Sequence, residues 1–310
     1  MPRDFTIDGT WSPRPCPACQ SWRATLLFCK GKIPFVECQS CRTVYVNLTP
    51  PASLLQSLYD DLGANYFSDD IKLALDFNPQ RYWRELSAIP TWARHGRLLD
   101  VGCATGSFLA CALAMGFTDV RGIDISCPSV EYANKKMGRT VAIAADFLSQ
   151  PFMAGEFDMV TLWATLEHVA EAEQFLRESC RVLKKRGMLC LSVPNRSGVS
   201  MRGLGPRWHM VGLEHLNYFT PRGLQLLLEK VGFVTRKTQT RSFNPLSFWK
   251  DLGGRHLSGR FGQRELLAEY QSNADLRRNP AIGLAQRLVD VAVTWLGAGD
   301  LLILTAQKTR

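Results

Sequence analysis

The stretch RLLDVGCATGSFLA, residues 97–110, constrains this chain more than any other. Leu98, Leu99 and Val101 give the short apolar run of a buried strand around Asp100. Gly102 and Gly106 bracket a turn, and Ser107 opens a helical run. Strand, glycine turn and helix N-terminus in that order build a cofactor platform. The pattern then repeats. DVRGIDIS (119–126), TVAIAADF (140–147), FDMVTLWATLEHV (157–169) and GMLCLSVPN (187–195) read as strands, or strands with their exit loops. Helical stretches separate them, including residues 127–137 and the amphipathic EAEQFLRESCRVLKK (171–185). Repeated strand–helix units predict an α/β fold with a parallel sheet and helices on both faces.

The turn itself limits the cofactor. A dinucleotide fold wants G-x-G-x-x-G, whose second glycine admits a pyrophosphate. Here Ala104 stands in the middle of Gly102-Cys103-Ala104-Thr105-Gly106, and no Lys-Ser/Thr pair of a P-loop ends the turn. Asp124, with Ile125 after it, closes the second strand, where a carboxylate can accept two hydrogen bonds from a ribose diol. Asp146, next to Phe147, closes the third and suits an adenine amino group beside an aromatic ring. Taken singly, each acid has a lesser reading as a turn residue or a helix cap.

The ten cysteines divide in two groups. Cys16, Cys19, Cys38 and Cys41 form C-x2-C-x18-C-x2-C, in which two tight turns complete a tetrahedral thiolate cage. Between them RATLLFCKGKIPFVEC reads as two short strands around Lys30-Gly31-Lys32, a zinc ribbon. Four cysteine ligands leave no open position for hydrolysis, so the metal is structural: zinc, although iron fits the same cage. Cys103, Cys111, Cys127, Cys180 and Cys190 sit singly, as small buried residues do, and Cys29 between the pairs reads as a strand residue.

Taken together, LLDVGCATGSFL, GIDIS, AADF, FDMVTLWATLEHV and FLRESCRVLKKRGMLCLSVPN resemble, in order and spacing, the class I S-adenosylmethionine-dependent methyltransferases. The resemblance covers about residues 80–240. It implies a Rossmann-like seven-stranded sheet with an antiparallel last strand. By the same resemblance Gly102, Ala104 and Gly106 would line the methionine part of the cofactor, above Asp100. Asp124 and Ile125 would hold the ribose, and Asp146 and Phe147 would face the adenine. At the exit of the fourth strand, WATLEHV stands where base-modifying amino methyltransferases carry Asn/Asp-Pro-Pro-Tyr. That favours a small-molecule acceptor, as in the quinone-pathway O-methyltransferases. Glu167 could contact the cofactor and His168 the acceptor, or either could cap the next helix.

His209, Glu214, His215 and Tyr218 cluster in PRWHMVGLEHLNYFTPRG (206–223), after the fifth strand, where family members cover the acceptor pocket. Thr220 reads as an N-cap with Pro221 at the first helical position. EHLNYFT is similar to a stretch of the deoxysugar C-methyltransferases, which also carry an N-terminal zinc module; a base role would then fall on His215, with Glu214 as its neighbour. The alternative is that His215 bonds the backbone and fixes the loop. This chain departs from that family at Gly212 and Leu213 and lacks its large C-terminal domain.

The sequence divides into a zinc-ribbon module (1–48), a linker with N-terminal helices (49–95), the cofactor-binding core (96–242), a helical insert (243–298) and the core's final strand (299–310). The insert reads as a lid or a homodimer element, with membrane-surface contact as a third reading. No signal-peptide core and no apolar run of spanning length appears, which points to the cytoplasm. A formal charge of +9 permits nucleic-acid binding, but it is spread along the chain. An RNA methyltransferase that uses the ribbon and the basic insert is therefore the alternative to a small-molecule enzyme.

Overall fold

A computed structural model describes residues 10–51, 53, 54, 82, 89, 91, 96–212, 214–254 and 280–309. Most of the linker and N-terminal helices expected over 49–95, and residues 255–279 of the insert, lie outside the described residues.

The strands are β1 (Ser12–Pro13), β2 (Ala24–Lys30), β3 (Ile33–Cys38), β4 (Val44–Val46), β5 (Leu48–Thr49), β6 (Arg97–Val101), β7 (Asp119–Asp124), β8 (Ala142–Ala144), β9 (Phe157–Trp163), β10 (Leu183–Pro194), β11 (Asn217–Tyr218), β12 (Phe233–Arg241) and β13 (Leu301–Lys308). Among the described residues, the helices are α1 (Ser107–Ala114), α2 (Cys127–Met137), α3 (Ala172–Val182), α4 (Val199–Leu204), α5 (Pro221–Lys230), α6 (Pro245–Leu252) and α7 (Pro280–Trp295).

Compactness groups the chain differently from its linear order. One unit, here called the ribbon unit, comprises Met1–Thr49, Pro194–Gly223 and Gln239–Leu302. The other, the sheet unit, comprises Pro50–Val193, Leu224–Thr238 and Ile303–Arg310.

The sheet unit is built on a seven-stranded sheet ordered β12-β13-β10-β9-β6-β7-β8. β8, β7, β6, β9 and β10 are parallel neighbours, as the strand–helix alternation predicts. The last strand enters between β12 and β10. Leu98, Leu99, Met159, Val160, Leu162, Leu189 and Leu191 are buried, because inner strands covered on both faces must be apolar on both. α2 shows how the sequence sets its helices. Ser126 Oγ accepts from Ser129 N at the N-cap, Lys135 and Lys136 occupy the last turn, and Gly138 ends the helix at φ 64°. Asn134 on α2 accepts from Val141 N and Ala142 N and donates to Ala142 O, which fixes the entry to β8.

The ribbon unit carries a four-stranded sheet ordered β11-β4-β3-β2. β2 and β3 form a hairpin in which Lys30 faces Ile33 across Gly31 (φ 59°) and Lys32. Arg14 is buried with its guanidinium satisfied: it donates to Val46 O (2.7 Å), Leu216 O (2.9 Å) and Asn217 Oδ1 (2.8 Å). It thereby ties the cysteine hairpin to β11, which pairs Asn217 with Tyr45. The expected N-cap is present, with Gly223 N donating to Thr220 Oγ1 at 3.0 Å. Of the insert, α6 and α7 are described. Leu284, Leu288, Val291 and Trp295 of α7 recur at helical spacing and are all more than half exposed.

Candidate functional site

In the sheet unit, β6 delivers its carboxyl end to a turn in which Gly102, Ala104 and Gly106 take φ of 76°, 44° and 73°. Gly102 is required twice, by its left-handed backbone and because a Cβ there would lie 2.5 Å from Thr165 Oγ1. The turn is moored to β7, since Gly102 N donates to Ile123 O (2.8 Å) and Ala104 N to Asp124 Oδ2 (2.8 Å). Asp124 Oδ1 accepts from Ser126 N, which leads into α2; Ile125 between them is half-buried. The N-terminus of α1 at Gly106 has no side-chain cap, so its first N–H groups are available to an anionic ligand.

Beneath the turn Asp100 is 2% exposed and accepts from Thr161 Oγ1 at 2.6 Å. Burial raises its pKa to about 7, Thr161 opposes that rise, and the Asp124 carboxylate adds to it. At the exit of β9 Thr165 Oγ1 donates to Val101 O. Glu167 is 1% exposed, and burial raises its pKa to about 8; its Oε2 has no partner among the described residues. Trp163 Nε1 is likewise buried and unpaired there. His168 is half-buried, its N–H donating to Thr165 O.

An acceptor and a donor without partners among the described residues at the β9 exit, beside a glycine turn packed on Thr165, suit a ligand with both donor and acceptor groups. S-adenosylmethionine fits this set: it offers an ammonium and a ribose diol as donors, and a carboxylate for the α1 N-terminus. Asp146 and Phe147 sit less openly. Asp146 is exposed and accepts from Leu148 N and Ser149 Oγ, so its carboxylate also caps a turn. Phe147 is 3% exposed and packs on Phe152 and Phe175. Thr161, Thr165 and Trp163 carry no local sequence signal that marks them as parts of this site.

In the ribbon unit the four cysteine sulfurs all lie within 4.8 Å of one another. Cys16–Cys41 and Cys19–Cys38 are each 3.5 Å apart. A tetrahedron with metal–sulfur bonds of about 2.3 Å has edges of about 3.8 Å. The sulfurs therefore need only a small expansion to accept an ion. None of the ten cysteines forms a disulfide.

The same unit gathers the 209–218 cluster. His215 is 7% exposed and its Nδ1 lies 2.6 Å from Met210 O, so Nδ1 carries the proton and Nε2 the lone pair. Burial holds its pKa below the usual histidine range, against the pull of nearby Glu214. Tyr218 Oη donates to the same carbonyl at 3.0 Å. Glu214 is half-buried. His209, 42% exposed, places Nδ1 2.8 Å from Asp251 Oδ2, whose side chain is 1% exposed on α6. No local pattern announced this pair, because Asp251 lies in the insert, 42 residues further on.

The methyltransferase domain family matches residues 75–238, more than half of the chain. A ubiquinone biosynthesis O-methyltransferase of Methylococcus capsulatus is 31% identical over 210 residues, covering 65% of this chain and 75% of that protein. A ubiquinone/menaquinone biosynthesis C-methyltransferase of Geotalea daltonii is 29% identical over 153 residues, 46% of this chain; the chain spans 64% of that relative's length. A Thermotoga maritima structure described as a S-adenosylmethionine-dependent methyltransferase, possibly acting on histamine, superposes with TM-score 0.53 at 18% identity, over 83% of this chain and all of that one. That likeness concerns the fold. Glycine turn, strand order and family match agree: the chain belongs to the methyltransferase domain family, the class I S-adenosylmethionine-dependent methyltransferases.

Proposed function

We propose that the chain transfers a methyl group from S-adenosylmethionine to a small-molecule acceptor, a sugar, a phenol or quinone-like ring or a secondary metabolite. The observation that carries this is the β6 turn with Asp100 beneath it and Glu167 Oε2 at the β9 exit, without a partner among the described residues. When bound, the cofactor supplies an electrophilic methyl on a sulfonium. Gly102, Ala104, Gly106 and Asp100 would hold its methionine part, Asp124 and Ile125 the ribose, and Asp146 and Phe147 the adenine end. Glu167 would accept from its donors. Transfer is an in-line displacement, so the chain's task is to position the acceptor and remove its proton.

His215 is suited to that proton. Its Nδ1–H is anchored on Met210 O, and its lowered pKa keeps Nε2 basic and neutral near pH 7. By the same reading Glu214 would assist His215, and His168 would touch the acceptor. The His209–Asp251 pair favours a second reading of the base, a carboxylate-oriented imidazole. The cysteine set would hold structural zinc. The exposed α7 stripe supports the lid or homodimer reading of the insert, which sedimentation at two concentrations tests. Among the described residues no helix is long and apolar enough to cross a membrane. The four-cysteine cage suits a reducing compartment such as the cytoplasm.

The test is label partition. Protein, tritium-labelled S-adenosylmethionine and fractionated cell extract are incubated, and label is counted in low-mass, RNA and protein pools. Label in the low-mass pool, lost in His215→Ala, is expected. Label in RNA would replace this reading with the nucleic-acid one.

A further inference from the structure

A cavity of about 540 Å³ opens in the ribbon unit, walled by the cysteine hairpin and by residues 196–206. It falls within the size range of small-molecule sites. One wall is apolar, with Leu27 and Phe28 of β2 at the mouth and Phe28 stacked on Phe35 at 5.1 Å. The polar wall holds three guanidiniums, Arg42, Arg196 and Arg202, against one carboxylate, Glu37. Glu37 is 5% exposed and shared: Oε1 lies 2.8 Å from Arg42 Nη2, and Oε2 accepts from Arg196 Nη2 at 2.6 Å. Arg196 Nε is buried without a hydrogen-bond partner among the described residues. Arg202 is exposed at the rim.

One carboxylate cannot neutralise three guanidiniums, and a buried unpaired N–H of a charged group is costly. The cavity therefore carries an excess of two positive charges beside an apolar face. We infer that it binds a small phosphate monoester whose organic part is apolar or aromatic. The dianion matches the charge excess, guanidinium forks match phosphate oxygens, and the organic part lies on Phe28 and Leu27. Glu37 holds the arginines in place and competes with the ligand for them.

This inference does not depend on which acceptor is methylated, and it is tested without the cofactor. The metal-loaded protein of 310 residues is titrated calorimetrically with phenyl phosphate, phenol and inorganic phosphate. Phenyl phosphate binds, phenol does not, and inorganic phosphate binds more weakly. Arg202→Gln, at an exposed position, and Arg196→Lys each weaken phenyl phosphate about tenfold, whereas Glu37→Gln strengthens it. Arg139→Gln, on the sheet unit, changes nothing. A merely structural role for Glu37 would not produce a gain. The inference is overturned if phenyl phosphate fails to bind, if phenol binds as well, or if the arginine variants bind normally. It is equally overturned if a single-stranded oligoribonucleotide binds more tightly than phenyl phosphate and loses that binding in Arg196→Lys.

Discussion

Thr161 Oγ1 donates to Asp100 Oδ1 at 2.6 Å across the β6–β9 ladder, and this bond favours the ionised form of a carboxyl that burial has raised to about 7. If the proposed cofactor sets its ammonium beside Asp100, that charge would favour the same form, so the expected cofactor affinity rises from pH 6 to pH 8 and binding releases protons. Thr161→Val removes the opposing hydrogen bond and moves the midpoint up by about one pH unit. Calorimetry in buffers of different ionisation enthalpy measures both. The sign for folding is opposite: stability attributable to protonated Asp100 is present below pH 4 and lost as pH rises through about 7.

Gly102→Ala forces a Cβ to 2.5 Å from Thr165 Oγ1 at a left-handed backbone of φ 76°. Cofactor affinity falls at least tenfold, with about 1–2 kcal/mol of stability lost. Gly116→Ala is the control: φ is +97°, but nothing lies within 4 Å of its added Cβ. It lowers the unfolding midpoint while leaving the cofactor isotherm unchanged.

On the proposed reading, a metal held by the cysteine set is coupled to folding. Cys16 and Cys38 are fully buried, and Cys41 O accepts from Thr220 Oγ1, so a collapsed cage disturbs the N-cap of α5 as well. Chelation, or Cys38→Ser, costs several kcal/mol of stability. Elemental analysis finds about one ion per chain and distinguishes zinc from iron.

The rate profile separates the two histidines. With His215 as the proposed base, its lowered pKa would place the acid limb of kcat below the usual histidine range. His215→Ala lowers kcat about 10²–10⁴-fold and removes that limb. Should Asp251→Asn cause a loss of that size with His215 intact, the base is His209.

Elements with a local signature were legible in the sequence. β6, its turn, β7 and α2 follow from apolar period, glycine and caps, and the cysteine set follows from ligand spacing. β10 begins at Leu183, earlier than the apolar run, because Lys184, Lys185 and Arg186 extend it as an exposed, irregular start with Arg186 at φ 63°. Arg14, Asn217 and Asp251 were not legible. Each acts through a partner at least 32 residues away in the chain, and no window of sequence carries that.

The cofactor class is the claim on which the rest depends. Titrating the protein of 310 residues with S-adenosylmethionine, NAD and ATP in parallel tests it most directly. One site per chain with about micromolar affinity for S-adenosylmethionine, and no heat from the other two, is the predicted result. Silence with S-adenosylmethionine, or equal binding of NAD, would contradict it.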